Sequence, residues 1–297
     1  MLVFETCQSK KIKMDTLNQR IQHFYDRSTA LWLDTWGEHM HHGFYGEDGK
    51  ARKNHRQAQA DLALELLKWG GVENASHILD AGCGVGGSAR LLAQLYDARV
   101  MGCTLSPVQA EQGRRYNKAA GLEKKVEIRA QDMMSLSDAD GPFNLVWSLE
   151  SAEHIREKQQ MLNLFFKLMA PGGKLLVATW FHRPLPPELS QKEKALLEGI
   201  YRYYHLPPLV SVPELAAMAR ASGFERVETA DWTNAVAPFW GAVMRSGFRW
   251  RSVKGLLRAG WPTLKGAWAV RYMIKGYRMG LIRFGVLQGQ KGGGQKL

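Results

Sequence analysis

The sequence predicts an α/β protein with a doubly wound, mostly parallel seven-stranded sheet, N-terminal helices and inserted helical lid segments. Three observations carry that expectation. Between His77 and Trp180, short β-prone apolar runs alternate regularly with helical patterns. The first run, His77-Ile78-Leu79-Asp80, opens directly into the glycine-rich turn Gly82-Cys83-Gly84-Val85-Gly86-Gly87. Near the C-terminus one more helix and two more strand patterns resume, over residues 213–222, 226–230 and 283–289.

Taken in order, residues 15–37 read as a helix, with apolar Leu17, Ile21, Phe24, Leu31 and Leu33 joined by Tyr25, Trp32 and Trp36. Glu38-His39-Met40-His41-His42-Gly43-Phe44-Tyr45 follows, dense in histidine and aromatics. It suits the polar wall of a pocket, or a solvated loop. A second helix spans 54–69, the first strand 77–81, and a helix over 88–95 leaves the glycine turn. Strands over 99–104, 125–130, 143–148 and 174–180 then alternate with helices over 108–120 and 158–169. Pro171-Gly172-Gly173 marks the turn into the fifth strand. The pattern breaks at Phe181: residues 182–213 hold six prolines and Tyr201, Tyr203 and Tyr204, the composition of an inserted cap. Residues 238–280 read as two helices divided by Gly260-Trp261-Pro262 and inserted before the last strand, and Lys291 opens a glycine-rich tail read as disordered. A single domain over 1–297 follows, with a helical cover at 15–70, a cofactor-binding core at 71–181 and a cap or lid at 182–213 and 238–280.

Composition narrows the class. No run is long and apolar enough to span a bilayer, and Met1 to Met14 lacks a signal-peptide core. Three widely spaced cysteines suit reduced thiols in an intracellular setting. Three histidines in four positions have no downstream Cys or His pair, so no metal site is expected. The net charge is +12, and twelve Lys and Arg residues follow Phe239 while no Asp or Glu follows Asp231. The whole basic excess therefore lies in the C-terminal fifth.

The glycine turn holds the chemistry. A strand, a tight loop and a helix N-terminus converge backbone N–H groups on a ligand. Gly82, Gly84 and Gly87 also satisfy the dinucleotide pattern G-x-G-x-x-G. Two details point away from a dinucleotide. Asp80, just before the loop, would repel a pyrophosphate and attract a cation. The acid expected about 20 positions on for a ribose is missing, because Val100-Met101-Gly102-Cys103-Thr104-Leu105-Ser106 carries none. S-adenosylmethionine, with an ammonium, a sulfonium and no phosphate, fits the turn better.

Leu79 to Ser88, Thr104-Leu105-Ser106-Pro107-Val108-Gln109, Ala130-Gln131-Asp132 and Trp147-Ser148-Leu149-Glu150-Ser151-Ala152-Glu153-His154 together resemble the Rossmann-like class I S-adenosylmethionine-dependent methyltransferases. Within them the chain is similar to the small-molecule C-methyltransferases, which include sterol methyltransferases and cyclopropane fatty acid synthases. Three further stretches, Trp36 to Gly43, Ala178 to Pro184 and Ala230 to Trp240, resemble the γ-tocopherol methyltransferases of plastids and cyanobacteria. The resemblance runs from about Phe24 to Gly289. It implies that Gly82, Gly84 and Gly86 admit the methionine half of the cofactor while Asp80 supports its ammonium. Thr104 and Leu105 would replace the usual ribose acid, with Gln109 reaching the ribose. Asp132 would accept from the adenine amino group, Gln131 and Leu149 would also touch the cofactor, and Tyr25 and Ser28 would close over the carboxylate.

The implied reaction is methyl transfer to a ring carbon beside a phenol hydroxyl, leaving S-adenosylhomocysteine. It needs a base of moderate pKa. His154, Glu150 and Glu153 follow the fourth strand where a base belongs, though Glu153 and His154 could equally cap the next helix. His41, His42 and His182 are second choices. An N-methyltransferase of a small amine or alkaloid is the alternative in the same family, and an RNA methyltransferase a more distant one. Arg251, Lys254 and Arg258 share one helical face, as do Arg271, Lys275 and Arg278. With Trp240, Trp250, Trp261 and Trp268 they suit an anionic membrane surface, met through residues 239–283, better than nucleic acid. The resemblance therefore implies a lipophilic small-molecule substrate and an intracellular enzyme peripheral to a membrane, of plastid or cyanobacterial type.

Overall fold

The structure is a computed structural model that describes residues 16–247 and 261–293. Its centre is a seven-stranded sheet in the order β3-β2-β1-β4-β5-β7-β6. The strands are β1 (His77–Ala81), β2 (Arg99–Thr104), β3 (Val126–Ala130), β4 (Phe143–Leu149), β5 (Met169–His182), β6 (Glu225–Asp231) and β7 (Ile282–Gln290). The first five run parallel, and β7 pairs antiparallel with both β5 and β6. The mostly parallel, doubly wound sheet expected from the sequence is present.

Ten helices are described: α1 (Leu17–Trp36), α2 (His55–Trp69), α3 (Gly87–Tyr96), α4 (Pro107–Ala119), α5 (Lys158–Leu168), α6 (Gln191–Tyr204), α7 (Val212–Ala221), α8 (Thr233–Val236), α9 (Pro238–Gly247) and α10 (Trp261–Arg278). The alternation of side chains along the strands builds one core on each face of the sheet. Ile78, Leu145, Trp147 and Leu176 pack with Leu62 and Leu66 of α2 on one face. Leu79, Val146, Leu175 and Val177 pack with Phe165 of α5 and Leu215 of α7 on the other. Strands buried on both faces read as continuous apolar runs, which is why the sequence marks them so clearly.

Three elements depart from the sequence reading. The helix expected to reach Met169 ends at Leu168, and Met169 pairs with Phe143 as the start of β5. The residues 170–173 bulge out before Lys174 rejoins Leu145, so the predicted turn is accommodated inside the strand. The cap at 182–213 contains a full helix, α6. Ser190 and Glu193 form a reciprocal capping box at its start, a signal the proline-rich flanks obscured. The two-helix reading of 238–280 meets α9 and α10, while Gly260, the basic face Arg251, Lys254 and Arg258, and Trp250 lie outside the described residues. So do Met1 to Met14 and most of the glycine-rich tail.

β1 is the switch point: chain order runs outward from it to β2 and β3 on one side and to β4 and β5 on the other. Ligands in such sheets bind beyond the carboxyl ends of the central strands. Rigidity beneath that edge depends on the α5 face. Phe165 is fully buried, so Phe165→Ala is expected to cost about 3–5 kcal/mol of unfolding free energy, read from urea melts.

Candidate active site

The carboxyl ends of β1, β2, β3 and β4 open into one cavity. Each strand contributes a short segment, and α1 with residues 38–41 closes the top. The glycine loop forms the floor. Gly82 follows β1 at φ +94°, where a Cβ would collide with Ser151, and Gly84 lies at φ +55°. These left-handed conformations favour glycine and let the backbone itself face the cavity.

Asp80 is buried beside this loop, and one carboxylate oxygen has no hydrogen-bond partner among the described residues. Burial raises its pKa to about 7, opposed by the Ala89 backbone N–H and the charge of Arg90. A buried, half-satisfied carboxylate at the mouth of a glycine loop is arranged for an incoming cation. Arg90 fixes the loop from behind. Its guanidinium donates to Val85 O and Asn117 Oδ1, both at 2.9 Å, and pairs with Glu38.

After β2, Thr104 Oγ1 donates to Gln109 Oε1 at 2.7 Å, and Ser106 caps α4 through Gln109 N at 3.0 Å. After β3, Asp132 accepts from Met134 N at 2.9 Å and from Asn18 Nδ2 of α1 at 2.6 Å. After β4, Glu150 adopts a left-handed conformation at φ +51°, unusual for a residue with a side chain. Glu150 lines the cavity, and its carboxylate reaches behind the wall: Oε1 accepts from His42 N at 2.5 Å, and Oε2 lies 2.8 Å from His42 Nδ1. Tyr25 OH and His154 Nε2 meet at 2.9 Å across the cavity roof.

Most of the residues expected from sequence converge on this cavity. Asp80, Gly82, Gly84, Thr104, Leu105 and Gln109 line it from the first two strands. Gln131, Asp132, Leu149, Glu150 and His154 line it from the next two, with Tyr25 and His41 above. Five others stand elsewhere. Gly86 is the N-cap of α3 at φ +79°, where a Cβ would press on Arg90 and Ile128; it shapes the turn from behind. The Ser28 hydroxyl donates to Phe24 O within its own helix at 2.8 Å and does not reach the cavity. Glu153 is buried behind the wall, accepting from Thr179 Oγ1 at 2.5 Å. Desolvation, reinforced by the charge of Glu150, raises its pKa to about 7. His42 is fully buried on the far side of Glu150. His182 is held by Arg183 O at 2.6 Å, outside the cavity lining.

His154, the first choice for a base, is depressed to about 4 by burial and then by the Lys158 charge, so it is neutral at pH 7. Lys158, itself lowered to about 8 by burial, holds its turn through the Ala152 and Ile155 carbonyls. Glu38, His39 and Met40 line the cavity, as the pocket-wall reading of their histidine-rich stretch expects, although none of the three is singled out as a site residue by sequence. Ser151 was missed as well; its hydroxyl donates to Ala81 O at 2.5 Å and joins the ends of β1 and β4.

A sequence-family profile described as Mycolic acid cyclopropane synthetase matches residues 12–234. The chain belongs to this family. It is 40% identical over 284 residues to a protein of Oryza sativa subsp. japonica named probable tocopherol O-methyltransferase, chloroplastic, covering 93% of this chain and 78% of that one. It is 31% identical to the norajmaline N-methyltransferase of Rauvolfia serpentina, covering 90% and 95%. Its fold matches the crystal structure of the mycolic acid cyclopropane synthase CmaA1 at a TM-score of 0.80 and 19% identity, covering 94% of this chain and all of that one.

The protein is a methyltransferase that uses S-adenosylmethionine, and the residues in place fit that molecule. The unpaired oxygen of Asp80 suits its ammonium, and the open glycine backbone suits close approach of its methionine half. Bound there, it supplies an electrophilic methyl group. Only ionised Asp80 attracts the ammonium, so affinity should rise with pH through about 7. Calorimetric titration should find S-adenosylmethionine bound about tenfold more weakly at pH 6 than at pH 8. Asp80→Asn should bind weakly at both, with that slope largely gone. Gly82→Ala should abolish binding while the protein stays folded by circular dichroism.

Proposed function

We propose that this enzyme methylates a lipophilic phenol at the ring carbon beside the hydroxyl, with γ- or δ-tocopherol as acceptor. The observation that carries the reading is the Glu150–His42 pair, which offers proton acceptors on two sides of one wall. Glu150 faces the cofactor cavity, whereas the His42 ring stands among Phe239, Trp240, Trp180 and Phe284 behind it. A carboxylate at Nδ1 keeps a proton there and leaves Nε2 free to accept one.

Methylation of a ring carbon moves two protons. His42 Nε2 takes the phenol proton, which makes the adjacent carbon nucleophilic. As the new C–C bond forms and the C–S bond breaks, the ring becomes a dienone. Glu150 then removes the ring proton, and His42 returns its proton to the oxygen. Atoms and charges balance, with one proton released from Glu150 to solvent. Transfer to the phenol oxygen, as the name of the rice relative has it, needs only the first of these acceptors. His154 is a poorer candidate, being occupied by Tyr25 and depressed to about 4. The N-methyltransferase relative supports a second reading, an amine acceptor, which likewise needs one acceptor only.

A membrane-resident acceptor fits the C-terminal composition. Arg271, Lys275 and Arg278 are exposed along one side of α10, and no described helix is long and apolar enough to cross a membrane. We place the enzyme at an anionic membrane surface of plastid or cyanobacterial type.

The deciding assay offers γ-tocopherol, δ-tocopherol and an indole amine, with product structure read by tandem mass spectrometry. Ring-methylated tocopherol is expected; an ether or a methylated amine as main product would refute the reading. Glu150→Gln and His42→Ala should each lower kcat about 100-fold or more while the Kd for S-adenosylmethionine changes less than about threefold. In flotation assays the protein should rise with vesicles containing anionic lipid and stay behind with neutral ones. Steeply salt-dependent RNA binding without vesicle binding would point to the nucleic-acid class instead.

A further inference from the structure

The loop that leaves β5 is apolar at its tip and tied back by one side chain. It runs Pro184-Leu185-Pro186-Pro187-Glu188, and all five residues are exposed. Arg183 organises it, with all five N–H groups of its guanidinium in use. Nε and Nη2 donate to the Glu193 carboxylate of α6 at 2.7 and 3.1 Å. Nη1 donates to Pro184 O and Pro187 O at 3.1 and 2.5 Å, and Nη2 also donates to Glu188 O at 3.0 Å.

The neighbouring strand brings a second apolar residue to the same place. Arg183 N donates to Leu281 O at 2.8 Å, which continues the β5–β7 pairing by one residue. Leu185 and Met279 each lie two residues beyond that contact, one on the chain leaving β5 and the other on the chain entering β7. Five large apolar side chains are exposed among the described residues, and these are two of them, at 40% and 44%. Lys275 and Arg278 are exposed on the last turns of α10, against one acid in the loop, Glu188.

Entering the interfacial layer of a bilayer costs a loop every backbone polar group that loses water without a partner. Here three of the five residues are prolines and carry no N–H, and Arg183 satisfies three of the carbonyls from the protein side. A loop that stayed in water would gain little from this, because water bonds the same groups.

From these contacts, and resting on the membrane reading given above, we infer that residues 184–188 and Met279 form a wedge that inserts into an anionic bilayer. Leu185 and Met279 enter the apolar layer, while Lys275 and Arg278 meet lipid phosphates at its rim. β5 runs parallel to β4 and β1, so the wedge stands at the sheet edge where the methyl-donor cavity opens. The protein docks with that edge toward the lipid.

The test uses the full chain and vesicles of phosphatidylcholine mixed with phosphatidylglycerol. Leu185→Asn is expected to lower the partition coefficient about tenfold, the effect of withdrawing one leucine side chain from an apolar layer. Its Tm should stay within about 1 °C and its affinity for S-adenosylmethionine should not change, since Leu185 is exposed and lies outside the cavity. Insertion itself is read from an environment-sensitive nitrobenzoxadiazole label on Leu185→Cys in a Cys7→Ser background. Cys83 and Cys103 are buried with raised pKa values and stay unlabelled. The label's emission should shift to the blue when anionic vesicles are added. The same label on Leu95→Cys, an exposed site at the end of α3 on the opposite edge of the sheet, should not shift.

If the wild type floats while Leu185→Asn floats equally well, or the label at 185 stays unshifted, the wedge is overturned and the membrane reading stands. A label at 185 that shifts without vesicles as protein concentration rises assigns the tip to contact between copies, and overturns the wedge as well. A wild type that ignores anionic vesicles removes the membrane reading first, and the wedge with it.

Discussion

The Glu150 carboxylate is held from two directions by one residue, His42, through a backbone N–H and a ring nitrogen. This contact joins β4 to the segment that follows α1, and both halves of the site depend on it. β4 can present the carboxylate sideways because Glu150 takes a left-handed backbone conformation, with its N–H held by Ala178 O at 2.7 Å. Strain of this kind costs about 1–2 kcal/mol and persists where surrounding bonds over-determine it. Here the strand pairing and the His42 contact together do so. Glu150 then lines the cavity while its carboxylate anchors an imidazole in an aromatic interior.

The same segment closes the cofactor cavity. Gln59 of α2 donates to the His41 carbonyl at 2.9 Å and also to that of His39, fixing residues 39–41 across the opening. Glu38 pairs with Arg90, which also grips the glycine loop at Val85. α1 is tied down at three strand ends, by Asn18 to Asp132, Asp26 to Ser106 and Tyr25 to His154. The cavity is therefore roofed by hydrogen bonds between polar side chains. Such contacts exchange more readily with water than a packed apolar interface does, and a cofactor that must enter and leave at every turnover needs a roof of that kind.

The surroundings of His42 are built on the opposite principle. His42 meets Phe239, Trp240, Trp180 and Phe284, rings contributed by α9, β5 and β7. The antiparallel β7 is what brings Phe284 to this place, since it inserts between β5 and β6 after the chain has passed through α10. A buried aromatic interior strengthens the interaction between the imidazole and its carboxylate relative to water.

Much of this was legible in the sequence for local reasons. Strands buried on both faces appear as apolar runs, the left-handed turn after β1 demands glycine, and strand ends at a switch point gather the polar residues Asp80, Thr104, Asp132 and Glu150. Helix α6 had its own local sign in the Ser190–Glu193 capping box. Which of two neighbouring histidines faces the cofactor was not local: His41 lines the cavity and His42 lies behind it, a difference set by α2, β4 and α9 packing around them. Nor could residue type tell that Ser28 spends its hydroxyl on its own helix, or that His154 is desolvated and bonded to Tyr25. Periodicity, turns and composition fixed the fold and the methyl-donor loop, because each rests on bonds between near neighbours in the chain. The pairing of His42 with Glu150 spans 108 positions, and its consequences for acid–base chemistry arise only when folding removes both from water.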